Sequence, residues 1–282
     1  MGAMSVAVFF HAHPDDEALL TSGTMAKAAA AGHRVVLVVA TDGALGLTSS
    51  EYGDPADLAK TRLAEVQASA DALGVARVVN LGYADSGLGP VTHLDGTGRT
   101  RFSDADVDEA AGKLAEILRE EHADVFTSYD PTGGYGHPDH VQVHRVGARA
   151  AEVTGIPVLE ATVPRDLLVK GINLAAKFYK FPPEFDIDSY RRAYSAKEQI
   201  THRIDVRHQI KAKRASMRAH ASQAVADGGA DRTLAAFLRI PRPVYDLVFG
   251  REWFVSPTHA GPVSHDIFQP STQQDVTEEI RR

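Results

Sequence analysis

"VAVFFHAHPDDEALLTSGTMAKAAAAGHRVVLVVAT", residues 6–41, is an apolar run, an Ala-rich amphipathic stretch and a second apolar run. The runs at 6–12 and 34–41 are apolar almost throughout, as in strands covered on both faces. Between them, 17–31 reads as one helix closed by Gly32. Strand, helix and strand in this order form a βαβ unit with parallel strands. The pattern repeats outward. Helices are expected at 55–73, 104–121 and 139–152, and strands at 76–82, 123–129 and 156–161. Right-handed crossovers then give an α/β fold, a Rossmann-like, doubly wound, mostly parallel sheet. Residues 1–162 are expected to form this core. A smaller, irregular C-terminal portion, 163–255, would complete the substrate pocket, with helices at 163–180 and 207–226, a loop at 182–194 and strands at 199–206 and 251–255. A polar tail, 256–282, would be draped over the surface or mobile.

Composition narrows the chemistry. The 282 residues carry a formal charge of -7, which argues against a nucleic-acid partner. The longest clean apolar run, 35–40, is far short of the ~20 residues that cross a bilayer. No membrane insertion and no leader peptide are expected, and a cytoplasmic location follows as the expectation. With no cysteine and 13 histidines, any metal must sit on His, Asp or Glu.

Two loops follow apolar strands and carry the same tripeptide. H-P-D-D-E occupies 13–17, and "DPTGGYGHPDHVQVH" occupies 130–144. Pro and Asp at a helix start need no functional explanation, since an Asp can cap the first turn. The repetition does need one, because both loops lie where a doubly wound sheet binds ligands, beyond the C-terminal strand ends. His13, Asp16 and His140 are the best trio of metal ligands, and three protein ligands plus water make a catalytic rather than a structural zinc site. Other divalent ions such as Fe2+ suit the same donors. Asp15 and His137 would remain uncoordinated, one to accept a proton from water, the other to stabilise an oxyanion and protonate a leaving amine. Tyr135, on a glycine hinge, reads equally as an oxyanion donor or a packed aromatic. His144 reads as a packing or supporting residue, and His11 has no assignable role.

Together "AHPDDE" (12–17) and "GHPDH" (136–140) resemble the LmbE-like, or PIG-L, superfamily of zinc-dependent N-deacetylases. The resemblance implies a Rossmann-like fold and removal of N-acetyl groups from GlcNAc-type sugars. It implies His13, Asp16 and His140 as ligands, Asp15 as base, His137 as acid or electrostatic group and Tyr135 as carbonyl activator, with Asp139 tuning His137. "RLAEVQASADALGV" (62–75) and "YADSGLG" (83–89) are similar to family segments that contact substrate, which places that role on Arg62 and Asp85. "THRIDV" (201–206) with "KAKRASMRAHASQ" (211–223) resembles the mycothiol-pathway branch, which holds a GlcNAc-inositol deacetylase and a thiol-conjugate amidase.

One stretch departs from that branch. "TDGALG" (41–46) stands where its members tend to read T-x-G-E-x-G, so Ala44 replaces a carboxylate and Leu45 follows; Asp42 is the nearest acid left. The reading is a hydrolase removing an N-acetyl group from an amino sugar, its partner an N-acylated amino-sugar glycoside. A homo-oligomer is compatible with the sequence. Two rivals stand beside it, an amidase for a larger acyl group and a non-catalytic, metal-bearing sugar-binding module. Three weaker signals take bland readings. Residues 167–181 are a connector helix, the basic run from Arg203 to Arg218 is a solvated helix face, and 83–103 is a lid or rim over the crevice.

Overall fold

The structure is a computed structural model that describes residues 3–46, 55–87, 98–177, 187–223 and 233–269. The expected aromatic segment 178–181, most of the expected rim (88–97) and the end of the tail (270–282) lie outside the described residues. Among the described residues, seven strands make one sheet: β1 (Val6–His11), β2 (Arg34–Thr41), β3 (Arg77–Tyr83), β4 (Val125–Tyr129), β5 (Val158–Thr162), β6 (His202–Asp205) and β7 (Arg251–Val255). Their order is β3-β2-β1-β4-β5-β7-β6. The first five are parallel, which bears out the α/β reading. β7 joins β5 antiparallel and β6 joins β7 antiparallel, so the ladder continues past residue 162 into the C-terminal portion.

The order of the parallel strands explains where a ligand can bind. From β1 the chain winds one way to β2 and β3, then returns to the other side of β1 for β4 and β5. The order therefore reverses between β1 and β4, which pair directly, and the crevice of a doubly wound sheet opens at that point. Both H-P-D loops leave from these two strands.

The helix expected at 17–31 is two helices, α1 (Asp16–Leu20) and α2 (Ser22–Ala30). The break falls at Thr21, whose backbone leaves the helical region at φ -136°. Its hydroxyl bonds His11 Nε2 at 2.8 Å, a tertiary contact that helical periodicity does not reveal. α3 (Pro55–Leu73) runs as expected to Gly74. α4 (Val107–Glu120) starts three residues later than expected, because Asp106 caps it by accepting from the Glu109 amide. α5 (Pro138–Thr154) follows His137 directly, with proline in the first turn, where its missing N–H costs nothing.

α5 lies close on β4, and Gly147 is the reason. A Cβ there would come within 2.5 Å of Ser128 Cβ, an atom fixed to the β4 backbone. Gly147→Ala is therefore expected to cost about 1–3 kcal/mol of stability by forcing helix and strand apart. Urea denaturation measures it, and a variant as stable as the parent would contradict the contact.

The C-terminal portion holds α6 (Arg165–Ala175), α7 (Ile187–Tyr190), α8 (Ile210–Ala219), α9 (Thr233–Arg239) and α10 (Arg242–Phe249). The solvated-face reading of the basic run needs correction. Lys213, on α8, is almost completely buried and pairs with Glu252 of β7, and it also donates to the Leu19 carbonyl. Glu252 in turn accepts from the Gly23 and Thr24 amides at the start of α2. Arg214 lies over the Tyr245 ring. Spacing alone could not show that the partner of Lys213 sits 39 residues downstream. Of the tail, Ile267 joins the main core and the Phe268 ring packs on His33, so this part is draped over the fold.

Candidate active site at the sheet reversal

The β1–α1 and β4–α5 loops meet as the strand order requires. The His13 and His137 rings lie 4.8 Å apart between centroids, and His13 and His140 5.4 Å. Asp16 bridges the two loops: one oxygen is 3.3 Å from His13 Nδ1 and the other 3.3 Å from His140 Nε2. On its far side, His13 Nε2 bonds Asp139 at 3.0 Å, which leaves Nδ1 with the lone pair. His140 Nε2 is buried and, among the described residues, has no hydrogen-bond partner. Two imidazole nitrogens and a carboxylate, one nitrogen orphaned and the other oriented by a carboxylate behind it, fit a divalent metal. Ligand atoms of His13, His137 and His140 also lie within 4.8 Å of one another, as do those of His13, Asp85, His137 and Asp139. In the second of these groups, the Asp139–His13 contact is already a hydrogen bond.

Around this set stand the other expected residues. Asp15 carries φ 119°, and its carboxylate pairs with Arg62 at 3.0 Å. Burial raises its carboxyl above the ordinary range, against the opposing pull of Arg62. His137 Nδ1 accepts the Asp139 backbone N–H at 3.1 Å, so the neutral ring carries its proton on Nε2. Burial, then His13 and His140, lowers His137 to about 4. Tyr135 remains 48% exposed and sets its ring edge-on to His140 at 5.0 Å. Desolvation, with the nearby Asp16 carboxylate, raises its hydroxyl, so Tyr135 is a donor at neutral pH. Gly133 lets this loop form: at φ +61°, a Cβ would strike the Val141 amide at 2.6 Å.

Three of the expected residues are held by partners within the chain. Asp139 directs its carboxylate at His13 and at the amide and hydroxyl of Ser86, not at His137. Arg62 is only 2% exposed, donating to the Pro14 and Gly43 carbonyls as well as pairing with Asp15. Asp85 accepts from the Leu45 and Gly87 amides and lies 3.4 Å from His13 Nε2. Asp42 is occupied too, by the Ala44 amide and an ion pair with Arg99 at 2.6 Å.

The remaining histidines gain roles. His11 is fully buried under the site, bonding the Tyr129 and Thr21 hydroxyls at 2.8 Å each, and burial lowers it to about 4. His144 turns away to the Tyr129 carbonyl and Glu160. The Glu160 contact raises the His144 imidazole above 6.5. Being raised, it adds stability that is present below pH 6.5 and lost as pH rises through the folded value. Proton NMR should show His144 titrating above 6.5, and Glu160→Gln should bring it down. A titration unmoved by that change would remove Glu160 as the cause.

A family model described as GlcNAc-PI de-N-acetylase, PIG-L, matches residues 8–151, a span that holds both H-P-D loops. The chain belongs to the PIG-L family. A 1D-myo-inositol 2-acetamido-2-deoxy-alpha-D-glucopyranoside deacetylase of Acidothermus cellulolyticus is 36% identical over 263 residues, covering 87% of this chain and 86% of that one. The protein of the same name from Mycobacterium sp. (strain JLS) is 39% identical over 255 residues, covering 84% and 80%. Among solved structures, the N,N'-diacetylchitobiose deacetylase from Pyrococcus horikoshii superposes with a TM-score of 0.56 at 20% identity, covering 96% of this chain and 88% of that one. That likeness concerns the fold. As a PIG-L protein, the chain is an enzyme acting on an amide bond. No helix among the described residues is long and apolar enough to cross a membrane.

Proposed function

We propose that this PIG-L protein hydrolyses the acetamide of an N-acetylglucosamine glycoside, with a polyol such as inositol as aglycone, and that it works in the cytoplasm. The observation that carries the reading is the placement of Asp15, Tyr135 and His137 around the His13, Asp16 and His140 donor set. When bound there, a divalent metal, zinc by its His2Asp donors, supplies Lewis acidity to water and the amide carbonyl.

The chain's own groups do the rest. Asp15 takes a proton as water adds to the acetyl carbon. The Tyr135 hydroxyl and His137 Nε2–H donate to the carbonyl oxygen as it gains negative charge. The neutral His137 ring has a single N–H, and it is engaged at the carbonyl oxygen, so the protonated Asp15 returns a proton to the departing amine. The C–N bond breaks, and acetate and a free amino sugar result. Ala44 and the occupied Asp42 leave no free carboxylate on the 41–46 loop, so the aglycone is recognised by other groups.

Acetate release from N-acetylglucosaminyl-inositol, with and without a chelator, tests this. Metal-dependent release is expected, faster than hydrolysis of a bulky amide on the same sugar. Preference for the bulky amide would favour the larger-acyl amidase, and tight sugar binding with no turnover by metal-loaded protein would favour the binding module.

A further inference from the structure

Glu17 and His220 are fully buried, lie 203 residues apart and are used by no step above. Glu17 closes the first H-P-D motif, and His220 follows the last residue of α8. His220 Nε2 meets Glu17 Oε1 at 2.5 Å, and Ser69 donates to the same oxygen at 2.6 Å. Ser69 is steadied by Ser216 of α8 at 2.8 Å. The other oxygen, Glu17 Oε2, accepts the backbone N–H of Asp15 at 3.0 Å.

That N–H belongs to the Pro14–Asp15 peptide, and the carbonyl of the same peptide is held by Arg62. One rigid plane is thus gripped at both ends, its oxygen by Arg62 and its hydrogen by Glu17. The grip matters because Asp15 has φ 119° and ψ -24°, in the half of the map that side chains other than glycine avoid. A flip of this peptide would relieve Asp15 and take the Pro14 carbonyl away from Arg62, the same guanidinium that pairs with the Asp15 carboxylate. Such conformations persist only where their surroundings over-determine them.

We propose that the Glu17–His220 pair is a positioning device that, opposite Arg62, prevents the Pro14–Asp15 peptide from flipping and so holds the Asp15 carboxylate in its working direction. His220 is a positioning residue, since it touches neither the reacting atoms nor the metal donors. Among the described residues its Nδ1 has no hydrogen-bond partner, and its ring's polar contact there is with Glu17. The catalytic consequence rests on reading Asp15 as the base; the clamp itself does not.

The test uses the full chain with zinc bound and reads two quantities. One is the NMR signature of the Asp15 amide, whose proton lies downfield while it donates to a carboxylate. The other is the division of any loss between kcat and KM. In His220→Leu, the Asp15 amide is expected to move upfield and lose exchange protection while β1 amides keep theirs. kcat should fall about 10–100-fold, the size typical of losing a supporting partner, with KM and zinc per chain unchanged. His220→Gln, which keeps an N–H for Glu17, should recover most of both. Ser69→Ala removes the second donor without stranding a charge, and should shift the same amide and lower kcat by less. It decides the matter if His220→Leu does not fold. An Asp15 amide unmoved with kcat within about twofold of the parent would overturn the proposal. So would a kcat loss that follows the unfolded fraction equally in the Leu and Gln variants. If the parent releases no acetate, the base reading fails, and the amide signature still tests the clamp.

Discussion

Asp15→Asn is expected to lower kcat for acetate release by about 10²–10⁴-fold, the range a positioned general base supplies, while zinc per chain and KM stay near the parent values. Asparagine is almost isosteric with aspartate. It keeps the backbone N–H that Glu17 Oε2 accepts, and it tolerates positive φ better than other non-glycine residues. The loop should therefore hold its shape. What asparagine lacks is a site that can take a proton from water. The carboxamide can still meet Arg62, though as a neutral acceptor in place of the ion pair at 3.0 Å. Turnover kinetics beside metal analysis of the same sample separate the outcomes. Retained zinc with turnover within tenfold of the parent would remove Asp15 from the role of base. Loss of zinc together with turnover would make Asp15 a support for the metal donors.

Much of this site was legible because the strand pattern and the motifs point to one place. Apolar runs at 6–12 and 123–129 marked parallel strands, and a parallel sheet puts the loops after them at its binding end. The order reversal between β1 and β4 then made the two H-P-D loops neighbours. What stayed hidden were partners far apart in sequence. "RAHASQ" was visible, yet nothing local says that its histidine buries against Glu17, or that Lys213 buries against Glu252. The family resemblance gave Asp139 the role of tuning His137. At the start of α5, however, their side chains diverge, and Asp139 reaches across to His13 and Ser86. The thread breaks for the same reason at Thr21, where a bond to His11 interrupts a helix that composition alone would continue.

Removing His140 should have a different signature from removing the base. His140→Ala takes away a buried nitrogen that lies 3.3 Å from Asp16 and has no hydrogen-bond partner among the described residues. Without metal the variant loses the Asp16 contact and the volume of a buried ring, so its Tm should start below that of the parent. With metal it should differ sharply. A ligand present at 100 times its Kd raises stability by about 2.7 kcal/mol, so zinc should raise the Tm of the parent and leave that of His140→Ala unchanged. Turnover should fall to background. Asp139→Asn removes the carboxylate that orients His13 and accepts from Ser86, and should weaken zinc binding about 10–100-fold without abolishing it. The same melts choose between donor sets, because His137 also lies within reach of His13 and His140. If the carboxylate bridging His13 and His140 is the third donor, Asp16→Asn abolishes the zinc shift and His137→Ala preserves it while losing turnover. The reverse pattern would move the metal onto three imidazoles and leave Asp16 as their counter-charge.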